Sequence, residues 1–344
     1  MTGPMNSPRA AVIGYGYAGR SFHSYLIDIT PGLILHGVSS SSAEKRAQIE
    51  VERNCRTYTS FDEVIADPQV DLVVLATPND LHALFAIQAM EHGKHVVTDK
   101  PMCITLAEAD RMVATAKETG RLLSVFQNRR WDGGFLTIQK LMAEGQLGNV
   151  RWIEMAWQRW QAPQGWRGEV AQGGGRLYDL GAHLLDQLLQ LFPQPVEAVY
   201  CRMHHDFANT NVESHALLTI HFADGATGIC DLSSMSAIPK PRFQIYGDRA
   251  TFIKYGLDPQ EDAMRDGDID AAVNSEESYG RLHDGERETI IPTVPGRWRS
   301  YYENVRDAIN GETELAVKAT EVQRVMAVID ASLRSAQSGQ IVYL

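Results

Sequence analysis

The stretch RAAVIGYGYAGR, residues 9–20, constrains the chain more than any other. A short apolar run ends in Gly14, Gly16 and Gly19, the pattern G-x-G-x-x-G between a strand and a helix. The first glycine permits a tight turn, the second lets the backbone approach a pyrophosphate, and the third lets helix and strand pack closely. The helix start then offers unpaired N–H groups and a partial positive charge to phosphate. Downstream, apolar runs recur as LILHGV, DLVVLAT, HVVTD and LLSVF. Segments of helical spacing, among them 80–92 and 105–119, separate them. Near-continuous apolar strands alternating with helices predict a parallel sheet covered on both faces. Residues 1–127 are therefore expected to form an α/β Rossmann dinucleotide-binding domain. Gly14, Tyr15, Gly16, Tyr17, Ala18 and Gly19 are its phosphate-side contacts.

The ends of the other strands say which dinucleotide. An NAD-preferring site places Asp or Glu at the end of the second strand, on the ribose 2′-hydroxyl. Here that strand runs into Ser39, Ser40, Ser41 and Ser42, with Lys45 and Arg46 behind and no carboxylate before Glu44. Hydroxyls can bond a 2′-phosphate and a cation can offset its charge. The expectation is NADP, with NAD as second choice. In open α/β sheets ligands bind beyond the carboxyl ends of the strands. Thr77, Pro78, Asn79 and His82 follow one such end, and Gln127 follows another; His82, in the first turn of the next helix, is equally readable as a capping or surface residue. HVVTDKP delivers Asp99 and Lys100 to the same edge, where Pro101 holds Lys100 extended.

Charge and composition narrow the function classes. The net charge is −11, which opposes nucleic-acid binding through clustered cations and adsorption to an anionic membrane surface. No apolar run approaches the ~20 residues that span a bilayer. The opening MTGPMNSPR lacks a signal-peptide core and reads as a loose tail. Cys55, Cys103, Cys201 and Cys230 are widely spaced, which predicts neither disulfide framework nor zinc site and points to a reducing cytoplasm. No metal is expected, since the run His204-His205-Asp206 has no convergent ligands elsewhere.

After residue 127 the pattern changes. A helix is predicted near 134–143, then a strand in VRWIEMAWQRW. Hairpins follow around Asp224-Gly225 and Gly247-Asp248. Residues 128–299 are expected to form an α+β domain with a mostly antiparallel open sheet, whose bare face suits a homodimer or homotetramer. Helices near 300–310 and 318–337 are expected within a segment, 300–344, that packs back on the first domain or the domain junction. Within GWRGEVAQGGGRLYDLGAHLLDQLLQLF, residues 165–192, Asp179, His183 and Asp186 fall at i, i+4 and i+7 on one helix face. The three glycines let something approach the helix start. Arg129 and Arg130 read equally as ligands for substrate hydroxyls or as salt bridges between the domains. Trp160 reads as a wall of the site or as sheet packing. The acidic stretch 258–288 reads as a solvated loop.

With these residues in place the chain resembles the Gfo/Idh/MocA oxidoreductase family over nearly its whole length. The resemblance rests on GYGYAGR, ATPNDLH, DKP and GWRGEVAQGGGRLYDLGAHLLD in that order. QNRRWD and FIKYGLDPQE resemble the branch of NADP-dependent scyllo-inositol dehydrogenases. Asp99 stands where the family's E-K-P motif has glutamate, and Trp166-Arg167 matches a pair that in relatives lies near the nicotinamide. The resemblance implies hydride transfer between nicotinamide and a sugar or cyclic polyol carbon. It makes Lys100, Asp179 and His183 the catalytic candidates; Arg129 and Trp160, read from the residues alone, join them as candidate substrate contacts. It also implies that the peptide before Pro101 is often cis. Histidine suits proton exchange with an alcohol near neutrality. An ammonium suits a developing oxyanion. The competing expectations are a catalytically silent NAD(P)-binding regulator, a sugar ketoreductase or a redox-assisted glycosidase on the same fold.

Overall fold

The computed structural model describes residues 7–344. Of the tail expected at residues 1–9, residues 1–6 lie outside the described residues, and Arg9 already opens the first strand. The chain divides into two units, one reaching to Asn128 and taking in Trp298–Gln323, the other Arg129–Arg297 with Arg324–Leu344.

The first unit is the doubly wound sheet the alternation predicts. Strands β1 (Arg9–Ile13), β2 (Ile34–Ser39), β3 (Arg56–Tyr58), β4 (Leu72–Leu75), β5 (His95–Thr98) and β6 (Leu123–Val125) lie in the order β3-β2-β1-β4-β5-β6, all parallel. Ala10, Ala11, Val12, Val73, Val74, Leu75 and Val97 are fully buried, as strands covered on both faces require. β3, RTY, is absent from the apolar runs of the sequence because it is three residues long and two of them are polar. Helices α1 (Tyr25–Asp28), α2 (Ala43–Arg53), α3 (Phe61–Ala66), α4 (His82–Glu91) and α5 (Leu106–Thr119) connect the strands. Ser42 caps α2, and Thr105 with Glu108 forms a full capping box on α5. The order of strands reverses between β1 and β4, the switch point beside which such sheets bind ligands.

The second unit is built on a nine-stranded sheet. Helix α6 (Gly133–Ala143) leads into β7 (Val150–Gln158), and helix α7 (Ala182–Leu191) follows. The remaining strands are β8 (Val196–His204), β9 (His215–Phe222), β10 (Thr227–Ser233), β11 (Phe243–Gly247), β12 (Thr251–Lys254), β13 (Gly280–His283), β14 (Glu288–Ile291) and β15 (Val342–Tyr343). Their order is β14-β13-β12-β11-β7-β10-β9-β8-β15. Both predicted hairpins form, β9–β10 and β11–β12. The sheet is mixed rather than wholly antiparallel, since β7 and β10 run parallel at its centre. Register places Tyr200, Leu217, Trp152, Tyr246 and Ile290 on one face, and each is at least one-third exposed. Part of the acidic stretch is ordered as α8 (Gln260–Arg265), where Asp258 and Glu261 serve as acceptors for α6 and Arg129. Helices α9 (Arg299–Ile309) and α10 (Ala319–Ser338) close the chain. α9 belongs to the first unit, and the boundary between units falls inside α10.

Candidate functional site

In the first unit the expected cofactor residues all lie at the carboxyl edge of the sheet. Gly14 sits at φ +97°, and a Cβ there would come within 2.6 Å of the Ala76 carbonyl. A Cβ on Gly19 would meet the Gly14 oxygen at 2.0 Å. The loop after β1 is thus folded against both its own helix and the loop after β4, which no side chain would allow. A Cβ on Gly16, by contrast, would meet nothing within 4 Å. That open side gives a pyrophosphate room to approach the backbone, so the loop fits a dinucleotide. The helix it opens begins with a π turn, Gly19–Ser24. Tyr15 donates to Glu52 at 2.8 Å, and Arg20 pairs with the same carboxylate at 2.7 Å. The Arg20 hydrogen bond holds Glu52 down to about 2. Tyr17 is half-exposed, with its ring edge-on to Phe22.

Beyond β2 the Arg46 guanidinium donates to the carbonyls of Ser40, at 2.7 Å, and Ser41, at 3.0 Å. This holds a cation over the serine turn. Ser39 is buried and its carbonyl accepts from Gly14 N, while Ser42 is committed to capping α2.

The edge beyond β4 and β5 is braced by two imidazoles. His82, the first residue of α4, is fully buried and not a surface residue. Its Nδ1 lies 2.9 Å from the Pro101 carbonyl and its Nε2 3.1 Å from the Thr77 carbonyl. Burial pushes its pKa down, against the pull of Asp99 and the two carbonyls. The ring ties the loop that carries Thr77, Pro78 and Asn79 to the one that carries Lys100. The Lys100–Pro101 peptide is cis. Asp99 Oδ1 accepts from Lys100 N at 2.8 Å, and its Oδ2 stands 3.8 Å from His23 Nε2. Burial would raise the Asp99 pKa, but His23, Lys100 and His82 outweigh it and hold the carboxyl below its usual range. His23 in turn contacts the Tyr302 hydroxyl at 2.7 Å. Sequence reasoning missed His23 and Tyr302, because 279 residues separate them. Gln127, just past β6, is buried.

In the second unit α7 opens with another π turn, Leu177–Gly181, which carries Asp179; His183 follows in the first α turn and is 5% exposed. The glycine run brings the protein's own backbone to the helix start. A Cβ on Gly174 would lie 2.5 Å from the Arg167 carbonyl. Gly175, at φ +102°, leaves room for buried Glu213, which accepts from Leu177 N at 2.6 Å. Burial pushes the Glu213 carboxyl up. The short 3-10 turn Gly165–Gly168 thereby sets Trp166 and Arg167 beside Asp179. Arg167 lies over the Trp166 ring at 4.4 Å, and its Nε is 3.6 Å from Asp179 Oδ1. Arg176 Nη1 reaches Asp179 Oδ2 at 3.3 Å and the same guanidinium also holds Ser234 and the Gln161 carbonyl. Asp179 is therefore framed by two guanidinium groups, which suits an anionic carboxylate that orients or binds.

The remaining candidates separate. Asp186 is buried and takes a bidentate pair from Arg130, at 2.8 and 2.7 Å. Arg129 pairs with Asp132 at 3.3 Å and Glu261 at 3.0 Å, all inside this unit. Trp160 does not pack into the sheet. It is 70% exposed and forms an isolated β-bridge with Met235. Sequence reasoning passed over Trp157, Arg242, Arg176 and Glu213. Trp157 had a weak signal as the inward member of the alternation Ile153, Met155, Trp157; the others had none. Among the described residues no group of three His, Cys, Asp or Glu could hold a metal ion.

Fold and edge together define a nicotinamide-dinucleotide-dependent oxidoreductase with a separate α/β domain. Residues 8–127 match the family profile "Oxidoreductase family, NAD-binding Rossmann fold", and residues 139–344 match "Oxidoreductase family, C-terminal alpha/beta domain". The chain belongs to the Gfo/Idh/MocA oxidoreductase family. It is 39% identical over 341 residues to the uncharacterized oxidoreductase YdgJ of Escherichia coli, covering 96% of each chain. It is 33% identical to the scyllo-inositol 2-dehydrogenase (NADP(+)) IolW of Bacillus subtilis, over 98% of this chain and 96% of that one. Among solved structures, yvaA of Bacillus subtilis superimposes with a TM-score of 0.92 over 100% of both chains at 32% identity. An NAD-binding protein of Listeria innocua gives 0.85 at 30% identity over 98% and 97%.

Proposed function

We propose that this oxidoreductase transfers a hydride between NADP and a CH–OH carbon of a cyclic polyol or sugar, with inositol-like rings as the substrate class. The observation that carries the reading is the helix start at Asp179 and His183. There a histidine that can move a proton sits one turn from a carboxylate held by two arginines. When bound, the nicotinamide supplies the hydride acceptor or donor. His183 takes the hydroxyl proton in oxidation and returns it in reduction. Lys100 hydrogen-bonds the reacting oxygen and stabilises its developing negative charge. Asp179 bonds a neighbouring substrate hydroxyl or orients the imidazole. The open side of Gly16 receives the pyrophosphate, and Arg46 with Ser40 and Ser41 receives the 2′-phosphate.

Two relatives support the substrate class by name: IolW, and a 1,5-anhydro-D-fructose reductase of Ensifer adhaerens, 28% identical over 71% of this chain. A catalytically silent regulator would have no use for Lys100, Asp179 and His183 together. The exposed apolar side chains on one sheet face support a homodimer or homotetramer through that face. The four cysteines are all free, which supports a reducing cytoplasm, and no helix among the described residues is long and apolar enough to cross a membrane. The test is a panel of cyclic polyols and aldoses, scyllo-inositol first, with NADP and NAD at matched concentration, read by the absorbance of the reduced cofactor. Turnover of a polyol with NADP faster than with NAD is expected. Bound cofactor without turnover of any polyol or sugar would overturn the reading, and a strong NAD preference would overturn the cofactor assignment.

A further inference from the structure

The floor beneath His183 is an indole held in an unusual way. Trp157 lies on β7, 3% exposed, and its ring stacks on the His183 imidazole with centroids 5.8 Å apart and planes 27° apart. A buried indole N–H ordinarily finds an acceptor. The Trp157 Nε1 has none among the described residues. No hydrogen bond therefore fixes the ring, and its orientation rests on what lies over it. Three guanidinium groups do; the two nearer are Arg129 at 4.4 Å and Arg242 at 4.5 Å from the ring centroid, with Arg159 at 5.8 Å.

Arg242 is the more telling of the two. It is 4% exposed, and among the described residues no carboxylate pairs with it directly. Burial, with the neighbouring charge of Arg129, pushes it down to about 9. A buried cation without a paired counterion is costly, so its placement calls for a role. Its Nη1 donates to the Ala156 carbonyl at 3.3 Å, next to Trp157 in the chain. Its Nη2 donates to Gln187 Oε1 at 3.2 Å. Gln187, fully buried, stands one helical turn after His183, and its amide donates to the Arg129 carbonyl at 2.7 Å. The contacts close a ring: His183 to Trp157, Trp157 to Arg242, Arg242 to Gln187, and Gln187 back along α7 to His183.

We infer that Trp157 is the positioning residue that sets the plane of the His183 imidazole, and that Arg242 locks Trp157 to the helix carrying that histidine. The inference rests on the proposed role of His183. A stacked floor fixes the direction of the ring nitrogens without occupying either of them. A misaim of an ångström at a reacting group can cost about 100-fold in rate.

The experiment compares Trp157→Leu, Trp157→Phe, Arg242→Met and Arg242→Lys with the parent protein and with His183→Ala. The His183 ring resonance is read in protein labelled with ¹³C-histidine and assigned by its loss in His183→Ala. NADP affinity and the rate of scyllo-inositol oxidation are measured alongside. In the parent the resonance should be displaced by the indole ring current. Trp157→Leu and Arg242→Met should shift it back toward the free-histidine position and lower kcat about 10- to 100-fold with NADP affinity unchanged. Trp157→Phe and Arg242→Lys should recover most of both. Should Trp157→Leu fail to fold, Arg242→Met carries the comparison. A Trp157→Leu or Arg242→Met protein whose His183 resonance stays at the parental position overturns the inference. So does one whose resonance moves while kcat does not. Activity retained in His183→Ala overturns the role of His183 instead, and the ring resonance still decides whether the stack exists.

Discussion

Replacing Asp186 by Asn is the sharpest test of what holds α7 in place. The Asp186 side chain is 2% exposed and that of Arg130 7%, with two hydrogen bonds joining them. Asn keeps the volume but removes the charge and one acceptor, so the guanidinium stays buried beside a neutral group. Breaking a buried pair from one side costs about 3–5 kcal/mol, because the remaining charge loses the carboxylate that faces it. For a unit of this size each kcal/mol moves the melting temperature by about 2–4 °C, which predicts a fall of about 6–20 °C. Urea unfolding followed by fluorescence and a calorimetric scan both measure it. The double replacement Arg130→Met with Asp186→Leu removes both charges and should recover most of the loss. A single variant that loses less than about 1 kcal/mol would refute the reasoning, since it would mean that Arg130 does not depend on Asp186 for its charge.

Arg46→Ala should weaken NADP binding by about tenfold or more while changing NAD binding little, as one charge-assisted contact to a phosphate is removed; titration of both dinucleotides by fluorescence checks it. Gly19→Ala should abolish binding of either dinucleotide or leave the protein unfolded, because the added carbon would sit 2.0 Å from the Gly14 carbonyl oxygen; the same titration, with a circular dichroism spectrum, checks it. The acid limb of stability follows from two depressed carboxyls. Glu52, held at about 2, and Asp99, held below its usual range, contribute stability that is present above the ordinary carboxylate pKa. It is lost as pH falls through the lowered values, where the folded state must also take up protons. Urea midpoints measured from neutral pH downward should fall in that window, and Glu52→Gln should make the fall shallower.

The strand–helix alternation and the glycine turn were legible because both are local: each strand is one apolar run and each helix has its own period. β3 escaped because three residues, two of them polar, carry no period. The two π turns escaped for another reason. They come from i→i+5 bonding at the start of a helix, which no composition announces. The expectation that the glycine run admits something at the α7 start is met by Arg167 and Glu213 of the same chain. Asp186 shared a face with His183 in the sequence, yet it faces Arg130, 56 residues away. Arg176 frames Asp179 from three residues away, a local contact that no hydrophobic period announces. The contacts that support His183, through Trp157 on β7 and Arg242 just before β11, depend on the pairing of those two strands.

His183→Ala, assayed for NADP-dependent oxidation of scyllo-inositol with NADP affinity measured on the same preparation, goes to the centre of the account. Loss of positioned acid–base help predicts kcat lower by about 100-fold or more, with cofactor affinity unchanged. A His183→Ala protein that turns over at the parental rate, or that fails only because it no longer binds NADP, would contradict it.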